Sequence, residues 1–299
     1  MACSSPGGEA VRQTAVRRNE LSIINPEFIM VYRIAVTGKG GTGKTTVAAL
    51  SVLRLIAQGK GPVLAVDADP NTCLDAALGM TVAKTLGAVR EEARTLAQQG
   101  LAAGMGKQQL LEMKIAESLV EGDDIDLIAM GRSEGPGCYC YANSVLKTVM
   151  AELSGSYPYM VLDNEAGLEN LSRRLAPQVD MLIAVSDPSR RGLETVHRLH
   201  ALTGEMGIEY RTLVLVVNRC RGTEPPAYAA EIARAAGADR LIALPDDEQV
   251  ARAAEQGVDY RSIPETNDVV ARLDSLIATV PVSHGEPSSV STGKQTNDS

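Results

Sequence analysis

A glycine-rich segment near the start of the chain carries residues suited to binding phosphate. It fits the pattern GxxxxGK[ST], with an apolar strand pattern before it and a helical pattern after it. Glycines let backbone N–H groups wrap phosphate oxygens, while Lys44 can neutralise phosphate charge and Thr45 can bind Mg²⁺. The segment consists of Gly38, Lys39, Gly40, Gly41, Thr42, Gly43, Lys44, Thr45 and Thr46. An ordinary glycine-rich turn is the alternative, but the pattern and its flanking elements together predict an ATP site that uses Mg²⁺.

Acidic side chains close two apolar strand patterns. Asp67 and Asp69 end the second strand pattern, and Asp163 ends a later one. The carboxyl ends of parallel strands meet at one edge of a sheet, so we expect these carboxylates near the glycine-rich loop and its Mg²⁺. One of the first two could instead cap a helix that begins at Asn71.

Two cysteines, Cys138 and Cys140, lie two residues apart in a glycine-rich stretch. In an extended backbone such residues point to the same side, so both sulfurs can bind one soft metal ion. A tetrahedral site of four sulfurs needs two more thiolates. The chain has five cysteines and no second pair of this kind, so a symmetric dimer could supply the other half. Two incidental reduced thiols are the alternative reading.

Strand and helix patterns alternate from Met30 to about Thr279 and predict an α/β fold. We expect a doubly wound, mainly parallel sheet flanked by helices, as in P-loop NTPases. The strand patterns cover residues 31–37, 62–69, 124–130, 159–164, 181–187, 212–218 and 241–245. The helical patterns include 44–58, 91–99, 108–120 and 143–153, and the stretch from about 70 to 122 is expected to be a helical insertion.

Composition and charge restrict the class of partner. The formal net charge is −8, and no apolar run is long enough to cross a bilayer. We therefore expect no nucleic-acid partner and no membrane partner, since both favour clustered cations. The few cysteines and the lack of a signal-peptide pattern predict a cytoplasmic location with reduced thiols. The expected domains are an extension over 1–29 that is disordered or not native, a P-loop ATPase domain over 30–281, and a disordered tail over 282–299.

The second lysine of the loop, Lys39, gives it the form KGGTGKTT. This form resembles the deviant Walker A signature of the family that contains the nitrogenase iron protein and the MinD and ParA-type ATPases. The resemblance implies that Lys39 crosses a dimer interface to the partner's nucleotide, so an ATP-dependent homodimer is expected. It also implies that Asp69 orients the attacking water and that Asp67 lies near the magnesium. Asp163, which is followed by NEAG, resembles the family's Walker B and switch segment.

Two later positions resemble the part of that family's site that holds adenine. Asn218, in VVNRC, resembles an asparagine whose amide contacts the ring. The turn at Pro245 is expected to contact the same ring through its backbone. Both residues end strand patterns, which places them at the edge of the sheet where the phosphate loop lies.

The cysteine pair lies within a more specific resemblance. GPGCYCYANSVL and VLDNEAGLENLSRR, combined with KGGTGKTT, resemble the CooC family of nickel-insertion ATPases for carbon monoxide dehydrogenase and the similar accessory ATPase of acetyl-CoA synthase. This implies that Cys138 and Cys140 bind Ni²⁺ at a dimer interface, with Zn²⁺ as a substitute in vitro, and that a client enzyme of those types receives it. Asn170 departs from the family pattern, which has histidine there, and Cys73 and Cys220 are assigned no role.

Two other classes built on this fold are the alternatives. An ATP-dependent reductase of the nitrogenase iron protein type needs two well-separated cysteines for its iron–sulfur cluster, whereas the pair here is adjacent. A MinD or ParA-like positioning ATPase binds membrane or DNA, which the acidic balance disfavours. His197 and His200 have a spacing that can chelate, but no third ligand accompanies them, so a packed or surface pair is expected.

Overall fold

Apolar strands and amphipathic helices alternate along the part of the chain that a computed structural model describes, residues 31–98, 117–132, 153, 155–167 and 178–282. These residues belong to one compact unit, Met30–Ser283. The strands are β1 (Tyr32–Gly38), β2 (Val63–Asp67), β3 (Leu119–Val120), β4 (Ile125–Ala129), β5 (Tyr159–Asp163), β6 (Gln178–Ser186), β7 (Glu209–Cys220) and β8 (Arg240–Pro245). The helices are α1 (Lys44–Ala57), α2 (Leu74–Ala77), α3 (Leu86–Gln98), α4 (Arg190–Glu205), α5 (Ala227–Ala235), α6 (Glu248–Gln256) and α7 (Asp268–Ile277), and Tyr260–Ser262 forms one 3₁₀ turn.

The eight strands form one sheet in the order β3-β4-β2-β5-β1-β6-β7-β8. All neighbours pair in parallel except β3, which is antiparallel to β4. Parallel strands buried on both faces need near-continuous apolar runs, and the strands β2, β4 and β5 are buried along their whole length. The predicted fold class, a doubly wound and mainly parallel sheet flanked by helices, is confirmed.

Alternate strand residues point to opposite faces of the sheet, and apolar residues lie on both faces. Helices therefore cover both faces. Ile34 and Val36 of β1 pack into the core beneath α1 and α7, whereas Ala35 packs into the core beneath α4 and α5. Asp67, Asp163 and Asn218 follow the alternation of the first core, so they leave the sheet on the side of α1. In the described part of the chain, no helix is long and apolar enough to cross a membrane.

The predicted helical insertion over about 70–122 is only partly helical. The described residues contain the short helix α2 and the longer α3, but Leu119 and Val120, expected to end a helix, form β3 instead. They pair with Ile128 and Leu127, so the edge of β4 receives a partner for its backbone groups. Residues 108–116 of that predicted helix, and almost all of the helix predicted near 143–153, lie outside the described residues.

Candidate nucleotide site

The glycine-rich loop joins β1 directly to α1, whose first residue is Lys44. Gly43, just before the helix, has a left-handed backbone with φ of +93°, and a Cβ there would overlap the Nδ2 atom of Asn218. A Cβ on Gly38 would overlap the carbonyl oxygen of Val185 on the neighbouring strand β6. Glycine at these two positions therefore lets the loop lie close to β6 and to Asn218 of β7.

The loop closes around its own lysine. The carbonyl of Lys39 accepts a hydrogen bond from the Thr42 hydroxyl at 2.9 Å and another from the Lys44 ammonium at 3.2 Å. Lys44 is only 8% exposed, so its charge is held inside the loop where a phosphate would bind. In the first turn of α1, the Thr46 hydroxyl lies 3.4 Å from the hydroxyl of Tyr260.

The two lysines of the loop occupy different environments. Lys44 is buried, whereas the side chain of Lys39 is exposed and pairs with no acidic group of the described residues. Two ammonium groups close together in one small phosphate cradle would repel each other, so one buried and one exposed lysine suit a single phosphate site. The role of Lys39 at a partner's nucleotide stays a prediction.

Asp163 is the least satisfied charged group of the site. It ends β5 between β1 and β2, opposite Val36 on one side and Asp67 on the other. The residue is 1% exposed, and neither of its carboxylate oxygens has a hydrogen-bond partner among the described residues. The Thr45 hydroxyl lies near the carboxylate. A buried carboxylate without partners is costly, so this position needs a cation or a proton.

Burial raises the pKa of Asp163 to about 7. Thr45 and Lys44 lower that pKa, while the nearby Asp67 and Asp69 raise it. Hard oxygen ligands are those that Mg²⁺ prefers, and a carboxylate next to a threonine hydroxyl at a helix start supplies them. The residues present therefore fit Mg²⁺, which Thr45 and Asp163 would hold directly or through water.

Asp67 is equally buried but its oxygens are already used. One oxygen accepts the N–H of Asp69 at 3.0 Å, and the other accepts those of Cys73 at 2.9 Å and Leu74 at 3.0 Å. Burial raises its pKa to about 6, and these backbone bonds limit the rise. The carboxylate therefore caps α2, which begins at Leu74 and not at Asn71 as predicted.

The later start of α2 has a local cause, since Thr72 has a φ of +50° that no α-helix accommodates. One of the two aspartates was expected as a possible helix cap, and Asp67 makes that contact. Its place near the magnesium stays a prediction.

Asp69 lies at the rim of the site, partly exposed. Its Oδ1 accepts the backbone N–H of Asn71 at 2.9 Å and the Asn71 amide at 3.0 Å. Asn71 in turn accepts a hydrogen bond from Arg132 at 2.9 Å. Within the described ranges no donor reaches the other oxygen of Asp69, which leaves it available to orient a water molecule.

The segment after Asp163 is held against β1. Asn164 donates both its backbone N–H and its side-chain amide to the carbonyl of Val36, at 3.1 and 3.0 Å. Gly167 accepts the Thr37 hydroxyl at 2.8 Å and donates to Gly38 at 3.3 Å. This segment therefore contacts the strand that leads into the phosphate loop, as a nucleotide-responsive switch would require. Asn170 lies outside the described residues.

Asn218 reaches the phosphate loop from β7. Its amide donates to the carbonyl of Thr42 at 2.8 Å and accepts the backbone N–H of Arg219 at 3.0 Å. Pro245 ends β8 and lies opposite Cys220 in the pairing of β8 with β7. The structure thus brings Asn218 to the loop itself, whereas the adenine contacts expected of Asn218 and Pro245 stay predictions.

The folded chain brings the glycine-rich loop, Asp67, Asp69, Asp163 and Asn218 to one edge of the sheet. Residues 34–260 match the family described as the CobQ/CobB/MinD/ParA nucleotide binding domain. The chain belongs to this family. Membership in the CobQ/CobB/MinD/ParA family makes it a nucleotide-binding protein of the P-loop ATPase class, which confirms the predicted nucleotide-binding function.

Known proteins align with most of the length of this chain. An ATP-binding protein of Methanocaldococcus jannaschii is 37% identical over 247 residues, which cover 81% of this chain and 96% of the relative. The carbon monoxide dehydrogenase accessory protein CooC of Rhodospirillum rubrum is 28% identical over 242 residues, 76% of this chain and 88% of CooC. The cell division ATPase MinD of Pyrococcus furiosus has a similar fold, with a TM-score of 0.62, 20% identity and coverage of 83% of this chain and 98% of that structure.

Cysteines and histidines outside this cluster differ from one another in environment. Cys138 and Cys140, the predicted metal ligands, lie outside the described residues. Cys73 is exposed beside the site, and partial burial followed by the charges of neighbouring aspartates raises its pKa, so it stays a thiol. His200 is hydrogen-bonded through Nδ1 to the Tyr210 hydroxyl at 2.9 Å, as expected of a packed histidine. The described ranges contain no group of three or more histidine, cysteine, aspartate or glutamate side chains that could hold a metal ion.

The site also includes Arg219, which no sequence pattern indicated as a site residue. Arg219 donates from its guanidinium to the carbonyl of Gly41 at 3.3 Å, although the two residues are far apart in the chain. Its position directly after Asn218 was the only available signal. The contact depends on a local irregularity of β7 that no periodicity in the sequence indicates.

Proposed function

We propose that the chain hydrolyses ATP in a Mg²⁺-dependent reaction at this loop. The main support is the carboxylate of Asp163, which is buried beside the loop lysine Lys44 and the hydroxyl of Thr45 and has no hydrogen-bond partner among the described residues. A phosphate-binding loop without such a carboxylate could bind an anion, but a buried carboxylate beside the loop lysine suits a metal-bound polyphosphate.

The roles of the side chains follow from their places. Lys44 binds the β- and γ-phosphate oxygens and neutralises developing charge, and the loop N–H groups orient the phosphates. Asp69, at the rim, orients the attacking water through the oxygen that no donor of the described residues reaches. Mg²⁺ supplies further neutralisation of the phosphates when bound. Asn164 and Gly167 give the switch segment a direct contact with β1.

We further propose that hydrolysis drives delivery of nickel. The support is the CxC pair Cys138 and Cys140, the motif combination noted in the sequence, and the 28% identity to the CooC accessory protein. In this proposal ATP binding closes two chains, and their four thiolates bind one Ni²⁺. Hydrolysis reopens the dimer and releases the ion to an enzyme of the carbon monoxide dehydrogenase or acetyl-CoA synthase type.

The nickel site can be tested with cysteine variants. Nickel uptake should reach about one Ni²⁺ per two chains with a nonhydrolysable ATP analogue and should fall to background in the double variant Cys138→Ser with Cys140→Ser. Cys73→Ser is the matched control, because Cys73 is an exposed thiol next to the nucleotide site. Equilibrium dialysis with metal analysis measures both. Unchanged uptake in the double variant would exclude the CxC site.

Lys39→Ala tests the proposed dimer separately. The side chain is exposed and makes no ion pair within the described ranges, so its loss should leave nucleotide binding by a single chain within about threefold of the original. Pairing should be lost, so that the ATP-bound variant sediments as a monomer and hydrolyses ATP about tenfold or more slowly. A variant that still dimerises with ATP would contradict the role of Lys39 at the interface.

A positioning ATPase of the MinD or ParA type is the second candidate, favoured by the fold similarity to MinD. It makes a distinct prediction, since its hydrolysis would be stimulated by DNA or by anionic vesicles. Our proposal predicts no stimulation by either. Stimulation combined with no nickel uptake would replace nickel delivery by this second function, and a brown iron–sulfur chromophore after anaerobic purification would favour the reductase.

A further inference from the structure

Strand β7 carries a bulge at the point where it passes the phosphate loop. Val217 pairs with Ala243 and Cys220 pairs with Pro245, so β7 advances three residues while β8 advances two. Asn218 and Arg219 occupy this interval. Arg219 has a φ of +58°, a left-handed conformation that glycine adopts readily and arginine does not. Strained non-glycine residues persist where the side chain has a use.

Both side chains of the bulge contact the backbone of the phosphate loop. From the buried side, Asn218 donates to the carbonyl of Thr42 at 2.8 Å. From the exposed side, the guanidinium of Arg219 donates to the carbonyl of Gly41 at 3.3 Å. The Arg219 N–H also donates to the Asn218 amide oxygen, which fixes the orientation of that amide. Two consecutive loop carbonyls are therefore held by two consecutive residues of β7.

The direction of these contacts matters for phosphate binding. A carbonyl and the following N–H of a peptide unit point in opposite directions. When donors on β7 hold the carbonyls of Gly41 and Thr42, the N–H groups of the next residues are turned away from those donors and are left free for a ligand. Such free N–H groups are what an anion-binding loop requires.

We propose that Asn218 and Arg219 are positioning residues that hold the phosphate loop in its binding conformation. This differs from the adenine contact that family resemblance implies for Asn218. The inference rests on the proposed ATP site in that the loop must bind phosphates, but it does not rest on nickel or on the dimer. Loss of either side chain should weaken binding of the polyphosphate whatever base is attached to it.

A ligand that lacks a base distinguishes a role in holding the phosphate loop from a role in contacting adenine. Magnesium tripolyphosphate and Mg-ATP should each bind about tenfold more weakly to Asn218→Ala and to Arg219→Ala, as expected for the loss of one well-placed hydrogen bond. The preference for ATP over GTP should not change. If the variants lose affinity for ATP alone, or if base preference shifts, Asn218 contacts the base and the proposal is overturned. If the unaltered chain binds tripolyphosphate but not ATP, the loop inference survives and the proposed function fails.

Arg219→Gly separates the effect of Arg219 on phosphate binding from its effect on the stability of the fold. Glycine accepts the left-handed backbone, so this variant should melt at a higher temperature than the original while it binds tripolyphosphate about tenfold more weakly. Arg221→Ala, which removes an exposed cation two residues away, is the matched control and should leave affinity unchanged. Equal losses in Arg219→Gly and Arg221→Ala would show that only general charge matters, which would overturn the proposal.

Discussion

Asp163→Asn should lower Mg²⁺-dependent ATP hydrolysis by about a hundredfold or more, because an amide cannot replace the anionic oxygens at the metal. The same change should make the nucleotide-free protein more stable at pH 8. Both effects follow from one fact, that this carboxylate is 1% exposed and has no hydrogen-bond partner in the described part of the chain.

The stability effect has a defined direction in pH. The pKa of Asp163 is raised by burial from 3.8 to about 7. A raised pKa in the folded state contributes stability that is complete below pH 3.8 and is lost as the pH rises through about 7. The pKa of Asp67, raised to about 6, acts in the same direction. The nucleotide-free protein should therefore become less stable between pH 5 and pH 8.

Thermal unfolding in EDTA across that range measures the effect. Asp163→Asn should remove a large part of the slope and should gain on the order of 4 kcal/mol at pH 8, the free energy that corresponds to the shift of its pKa. Asp246→Asn, an exposed carboxylate at the end of β8, is the control and should change neither the slope nor hydrolysis. An unchanged slope together with normal hydrolysis in Asp163→Asn would remove this residue from the site.

Gly43→Ala should abolish measurable ATP binding, with a loss of about a hundredfold or more. The backbone at Gly43 has a φ of +93°, and the added Cβ would overlap the Asn218 amide that holds Thr42. The variant must therefore change the conformation of the loop, displace Asn218, or do both. Either outcome removes the arrangement of N–H groups that the phosphates need.

The same loop provides the control for this change. A Cβ on Gly40 would have no atom within 4 Å, and its backbone is not left-handed. Gly40→Ala should bind ATP within about threefold of the original chain. Isothermal titration with Mg-ATP compares the two variants. Equal losses in Gly40→Ala and Gly43→Ala would mean that the contact with Asn218 does not determine the shape of the loop.

Much of this architecture was predictable because local and global signals agree in it. The apolar runs that form β1, β2 and β5 end at the loop, Asp67 and Asp163, so the sheet edge followed from the strand patterns. The two-residue strand β3 was not predictable, since its pairing with β4 is a tertiary contact and its residues fit a helical pattern equally well.

The details of the site depended on contacts between distant parts of the chain. Asp67 and Asp69 end the same strand pattern in the sequence. In the structure, however, only the carboxylate of Asp67 accepts hydrogen bonds from the backbone N–H groups of Cys73 and Leu74. The bulge that brings Arg219 to the loop arises from the register of β7 against β8, which composition does not encode. Roles that depend on register or on which atoms are already bonded therefore required the structure.

Pairing of two chains by nucleotide, which we propose to complete one metal site, can be observed directly. Native mass spectrometry of the chain, loaded with Ni²⁺ and a nonhydrolysable ATP analogue, measures chains, nucleotides and ions together. We expect a species of two chains with two nucleotides and one Ni²⁺, which separates into metal-free single chains when ADP replaces the analogue. A single chain that holds both the nucleotide and a tightly bound nickel ion would contradict it.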